Sequence, residues 1–135
     1  DDRMEHIKGL HHIGLPVRNM EGTLAFYRKL GAEIVYEKQD VFEEEPIRVV
    51  LLGLCGTVLE LFERPKTAGI PGAFDHIAFE TDCIEEWYDR ALEEGFAFHE
   101  DCRDGIQIST YWPNHTKWFI LLGVNGEKIE FCQEC

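Results

Sequence analysis

FDHIAFETDCIEEWYDRALEEG (residues 74–95) rewrites LHHIGLPVRNMEGTLAFYRKLG (residues 10–31). A shift of 64 positions lays His76 on His12, Ile77 on Ile13, Phe79 on Leu15, Ile84 on Met20 and Gly95 on Gly31. Further on, LGVNGEKIEFC falls on LGLCGTVLELF at a shift of 70, pairing Gly123 with Gly53, Gly126 with Gly56 and Glu130 with Glu60. The chain is therefore a duplication whose second copy carries six extra residues between its two anchors.

Each copy opens on an alternating strand, residues 10–17 and 75–80, in which every second side chain is large and apolar. A helix follows. Asn19 is a cap-type residue for the first helix, and Asp82 with Glu85 three residues on suggests a capping box for the second. Met20, Leu24 and Tyr27 give the first helix one apolar face, and Gly31 and Gly95 suit left-handed helix stops. Further strands are expected at 33–37, 47–52 and 57–62, then at 96–99, at 106–110 or 118–122, and at 127–132. Asn125-Gly126 and Cys55-Gly56 read as two-residue hairpin turns. The expected fold class is α+β: two tandem βαβββ modules forming a curled mixed sheet around a central cup. Residues 1–135 are expected to form a single domain, with module one at about 6–63, a linker at about 64–73 and module two at about 74–133. The linker reading rests on two prolines and two glycines in ERPKTAGIPGAF. About sixty residues per copy is a marginal length for an independent core.

Thirteen basic residues stand against 26 acidic ones, a net charge of −13, which repels nucleic acid and acidic membrane surfaces. No apolar run is long enough to span a membrane, and DDRMEHIKG has no secretory layout, so a cytoplasmic protein is expected. Five cysteines, an odd number, fit reduced thiols better than a disulfide framework or a zinc knuckle. Cys132 and Cys135 are read as surface thiols.

Strand parity points to the site. With Ile13, Leu15 and Val17 on the helix side, His12, Gly14 and Pro16 face away, and Ile77 and Phe79 leave His76 and Ala78 in the equivalent place. In the closing strands Leu59 and Leu61 oppose Glu60, and Ile129 and Phe131 oppose Glu130. Gly14 and Ala78 leave room beside each histidine. Gathering two carboxylates on one inner face without a cation would cost several kcal/mol each, about 3 or more. A divalent ion (Ni, Zn, Co, Mn or Fe) suits two imidazoles and two carboxylates, with positions left open for a ligand. His11 has the wrong parity for a ligand, and His6 and His99 have no equivalent in the other copy. Glu43, Glu44 and Glu45 form a charge run in a loop before a strand. Spacing leaves open whether these, or Tyr111, Trp112, His115 and Trp118, line a pocket.

HHIGLPV with FYRKLG, TVLELFE, DHIAFE and GVNGEKIEF together resemble the vicinal oxygen chelate superfamily: glyoxalase I, methylmalonyl-CoA epimerase, fosfomycin-resistance enzymes, extradiol dioxygenases and bleomycin-binding proteins. The resemblance covers essentially the whole chain. It implies that His12, Glu60, His76 and Glu130 hold one divalent metal, in a cup often completed within a homodimer. It implies a small-molecule substrate and a lyase or isomerase resembling glyoxalase I, abstracting a proton next to a carbonyl through a metal-stabilised enediolate. Glu130 is then the first candidate base and Glu60 the second. Glu60 favours this reading over the epimerase, whose members commonly carry glutamine there, and over fosfomycin and dioxygenase enzymes, which generally use three of the four positions. Bleomycin-binding members, non-catalytic modules of the same fold, typically lack the quartet. Pro16 stands where several bacterial glyoxalases have an arginine that contacts a thiol substrate.

Overall fold

A computed structural model describes residues 10–67, 69, 72, 74, 76–109 and 115–134. The chain divides into two units, Asp1–Thr67 and Ala68–Cys135. Both are α+β, with a helix packed on a mixed sheet. In the first, β1 (Ile13–Val17) leads to α1 (Met20–Lys29), followed by β2 (Glu33–Phe42), β3 (Glu45–Leu54) and β4 (Thr57–Glu63). The sheet order is β1-β4-β3-β2. β1 is parallel to β4, because the helix carries the chain across before the two hairpins bring it back.

The second unit has β5 (Ile77–Glu80), α2 (Ile84–Glu93), β6 (Ala97–Phe98), β7 (Gln107–Ser109), β8 (Thr116–Leu122) and β9 (Lys128–Glu134). Its order is β5-β9-β8-β6, with β7 also on β8. The two expected alternatives at 106–110 and 118–122 are thus both strands. β6 and β7 lie along one edge of β8, and the register runs from Phe98↔Leu121 to Gln107↔Trp118. Nine steps of chain there span three steps of β8, so the six extra residues of the second copy sit in the excursion at 99–106. That excursion breaks in two the strand that β2 makes whole. The Ile120 N–H, facing the gap, donates to the sulfur of buried Cys102 at 3.3 Å, while the Ile120 carbonyl accepts from His99 N–H at 2.9 Å. His99 also accepts from the Asp101 N–H through its ring, starting a 3₁₀ turn at Glu100–Cys102.

The expected apolar faces are in place. Met20, Leu24 and Tyr27 are buried with Val50, Leu52, Leu59 and Leu61. In the second unit Ile129 and Phe119 are fully buried, and Trp87 of α2 stacks on Phe131 of β9 at 5.0 Å. Both helices end in the same hydrogen-bonded loop. Gly31 N–H reaches the Arg28 carbonyl and Ala32 N–H the Tyr27 carbonyl; Gly95 and Phe96 repeat this on Leu92 and Ala91. The two glycines have φ of 97° and 73°, as this stop requires.

Helix starts differ. Asn19 caps α1, its side chain accepting from Gly22 N–H at 2.9 Å. The capping box expected from Asp82 and Glu85 does not form. Cys83 takes the cap position, and its side chain caps no N–H of the first turn. The orphan Ile84 N–H instead donates to the Gln133 carboxamide of β9 at 2.9 Å, and Glu85 is drawn outward to Lys117 at 2.7 Å. A distant strand thus does what the local sequence was expected to do.

Turns divide similarly. Cys55-Gly56 makes the expected two-residue turn, both residues at positive φ, with Leu54 opposite Thr57. Asn125-Gly126 lies in a wider turn: Gly126 N–H donates to the Gly123 carbonyl at 3.1 Å and Gly123 N–H to the Glu127 carbonyl at 2.8 Å. The Glu127 carboxylate accepts from Asn125 N–H, holding the longer loop. Glu43, Glu44 and Glu45 are not a loose loop. β2 runs on to Phe42, Glu43 and Glu44 turn the chain at φ of 51° and 67°, and Glu45 begins β3. Replacing Gln133 with alanine is expected to lower unfolding free energy by about 1 kcal/mol in urea titrations, whereas Asp82→Ala changes it by less than about 0.5 kcal/mol.

Candidate metal centre

The two parallel strand pairs bring histidine and glutamate side by side. β1 pairs with β4 as Ile13↔Leu59 and Gly14↔Glu60; β5 pairs with β9 as Ile77↔Ile129 and Ala78↔Glu130. His12 and His76 stand just before their strands, one residue short of the first register pair. Each therefore lies diagonally beside the glutamate of the neighbouring strand. The His12 Nε2 to Glu60 Oε2 distance is 3.9 Å, and His76 Nε2 to Glu130 Oε1 is 3.7 Å. The small residues at 14 and 78 leave this space open: a Cβ on Gly14 would already touch Phe62 at 3.4 Å.

Do these pairs fit a metal? Two donors at about 2.1 Å from one ion, on adjacent octahedral positions, lie about 3 Å apart, so each pair needs only a small rotation to share a cation. Imidazole with carboxylate also suits a borderline divalent ion. Within each unit the described residues gather two such donors, not three or more.

The glutamates differ in surroundings. Glu60 keeps 38% of its side-chain surface, Glu130 only 18%. Glu130 lies on a cleft of about 940 Å³ in the second unit, with Trp118, Ile120 and Cys132 around it. Burial pushes its carboxyl above the ordinary carboxylate range, and the neighbouring His76 partly opposes that rise. Cys132 is half-buried in the same wall, not a surface thiol. Burial, then the charges of Glu130, Glu80 and Glu134, push its thiol upward, so it stays protonated near neutral pH. Cys135, Tyr111 and Trp112 lie outside the described residues. His115 is exposed, and Trp118 lines the cleft.

One residue set aside by parity has a part here. His11 Nδ1 lies 2.8 Å from His12 Nδ1, one nitrogen donating and the other accepting. This leaves His12 Nε2 directed to Glu60 and constrains its tautomer, as outer partners of metal-bound histidines commonly do. The HH doublet was the available signal; strand alternation hid it because both residues precede the strand.

The glyoxalase/bleomycin resistance protein/dioxygenase superfamily model matches residues 9–111. A glyoxalase family protein from Enterococcus faecalis superposes with a TM-score of 0.72 at 22% identity, covering 93% of this chain and 98% of that one. A glutamate-to-glutamine mutant of the fosfomycin resistance protein FosX from Listeria monocytogenes, in a structure complexed with Mn(II) and 1S,2S-dihydroxypropylphosphonic acid, gives 0.70 at 19% identity, with 93% and 91% covered. FosX from Mesorhizobium loti gives 0.67 at 19%, with 93% and 90% covered. At these identities the likeness is one of fold. No curated protein matches the sequence.

A raised carboxylate pKa gives the folded state more bound protons than the unfolded state between the ordinary and the raised values, so stability contributed at this position falls as pH rises through that window. In metal-stripped protein, Glu130→Gln is therefore expected to raise Tm relative to the parent at pH 7, with the gain vanishing near pH 4. Thermal unfolding across pH checks this.

Proposed function

The chain belongs to the glyoxalase/bleomycin resistance protein/dioxygenase superfamily, and from that premise we propose a metal-dependent lyase or isomerase of glyoxalase I type, acting on a small carbonyl compound. In this reading the two units form one domain. His12, Glu60, His76 and Glu130 share one divalent ion, either in one chain or across a homodimer. The observation that carries the proposal is the equivalence of the His12–Glu60 and His76–Glu130 pairs, 3.9 and 3.7 Å apart, at matching register in both sheets.

The ion would supply Lewis acidity to two neighbouring substrate oxygens. The chain supplies the rest. Glu130, kept partly dry by Trp118 and Ile120, is a stronger base than an exposed carboxylate and is the candidate to take a proton from the carbon next to the carbonyl. Glu60 is the second candidate. His11 fixes the ring of His12, so that a donor at this position loses little freedom on binding. Trp118 offers an apolar wall against which a substrate can orient.

Mn(II) in the Listeria FosX structure supports manganese as one metal to test, and its bound diol phosphonate supports fosfomycin opening as the second reading. Protein reloaded with Mn, Ni, Co, Zn or Fe is assayed for hemithioacetal isomerisation, for solvent-deuterium uptake by the substrate, and for loss of fosfomycin. With one of these metals, isomerisation with deuterium uptake is expected. Glu130→Gln is expected to lower the rate about 10²- to 10⁴-fold, and Glu60→Gln to weaken metal retention as well. Fosfomycin turnover without deuterium uptake favours the second reading; inactivity in all assays with every metal removes the first.

A further inference from the structure

β2 is the last strand of its sheet, ten residues long and exposed throughout. Val35, Tyr36 and Val41 on it are 58%, 56% and 65% exposed, and Ile34 and Phe42 are exposed large apolar residues as well. The matching edge of the second unit is broken up. There β6 and β7 are two and three residues long, and the turn at Glu100–Cys102 stands between them, with the Cys102 sulfur on the Ile120 N–H. Short, interrupted strands blunt an edge, whereas a long apolar one is a template for a further strand.

The hairpin fixes which backbone groups of β2 face outward. Glu43 and Glu44 form a two-residue turn at positive φ, so Phe42 and Glu45 close it as a hydrogen-bonded pair. Counting back by twos, Asp40 and Lys38 bond β3, and Val41, Gln39 and Glu37 turn their N–H and C=O groups away from it. Val41 agrees: its N–H donates to the Asp40 carboxylate at 2.8 Å. The pairing with β3 is regular from Tyr36 to Phe42, and the irregularity lies between Ile34 and Tyr36.

Two copies meeting edge to edge about a two-fold axis across the sheet pair antiparallel. Outward groups must face outward groups, so the axis passes through a residue, not between two. An axis through Lys38 or Asp40 sets that charge against itself. One through Glu37 or Val41 runs the ladder into the irregularity or the turn. With Gln39 on the axis the whole stretch 36–42 is paired. Lys38 then opposes the second copy's Asp40, and Tyr36 opposes its Phe42, each twice over and all on one face. These are the non-hydrogen-bonded positions, where facing side chains come closest.

We propose that β2 pairs with β2 of a second copy of this chain about a two-fold axis through Gln39, joining the two first-unit sheets into one. Charge complementarity selects this occupant and this register together. In the free edge Asp40 holds both the Val41 N–H and, at 3.3 Å, Lys38 of its own strand. Pairing passes the Val41 N–H to the second copy's Glu37 carbonyl and turns Asp40 to the facing Lys38. None of the four candidate metal donors lies on β2, and the proposal does not rest on the isomerase reading.

Sedimentation velocity of the metal-stripped full chain over a wide concentration range tests this. The parent is expected to show a concentration-dependent association step. Lys38→Glu sets an acid against Asp40, and Asp40→Lys sets a base against Lys38, so each is expected to weaken that step at least about tenfold. An equimolar mixture of the two variants restores opposite charges at both positions and is expected to recover the parent affinity to within about threefold. Gln39→Pro removes an outward N–H while leaving the β3 ladder whole, and is expected to abolish the step. Where Gln39→Pro does not fold, the mixture decides. A parent that stays unassociated leaves the edge to an extended segment of an unlike protein and overturns the proposal, as does a mixture no tighter than either variant alone. Tighter association of Asp40→Lys, the result that net charge alone would give in a chain of −13, overturns it too. Because no metal is present, none of these results bears on the isomerase reading.

Discussion

The parallel pairing of the first and last strands of each unit is the constraint from which the site follows. Parallel strands beside each other put Gly14 against Glu60 and Ala78 against Glu130. The residue before each first strand then reaches the glutamate next door, and in both copies that residue is histidine. A slip by one residue would turn Glu60 and Glu130 toward the helix and carry Leu59, Leu61, Ile129 and Phe131 out of the core. The apolar alternation forbids that slip, since burying a carboxylate against the helix costs several kcal/mol, about 3 or more. The hydrophobic pattern that builds the core thereby also aims the polar donors.

Duplication does not make the halves equal. Six additional residues in the second copy break its edge strand into β6 and β7, and the opening is sealed by Cys102 and His99 on Ile120. Ile120 is the register partner of Glu130, and with Trp118 it lines the cleft that dries this carboxylate. In the first copy the unbroken β2–β3 hairpin instead runs out to Glu43 and Glu44, and leaves β2 exposed along its length. One copy has developed a sheltered carboxylate and the other a long open edge, from the same strand plan.

Much of this was legible in the sequence because it rests on periodicity. The βαβββ order, the glycine stops at Gly31 and Gly95, the Asn19 cap, the Cys55-Gly56 turn and the two histidine–glutamate pairs all follow from local pattern or from the repeat. What escaped depends on individual side-chain partners that helix and strand periods do not register. The α2 cap comes from Gln133, 49 residues after the N–H it satisfies. The Asn125-Gly126 turn is widened by the Glu127 side chain, and the location of the six-residue excess emerges only from the register of β8. His11 escaped for the same reason, since it acts through a neighbouring ring.

In the proposed site both pairs serve one ion. Diffraction from crystals of manganese-loaded protein, with anomalous scattering recorded at the manganese edge, tests it directly. One strong peak per set of four donors is expected, with His12 Nε2, His76 Nε2 and carboxylate oxygens of Glu60 and Glu130 each about 2.0–2.3 Å from it. A peak held by one pair alone, or by none of these four side chains, contradicts it.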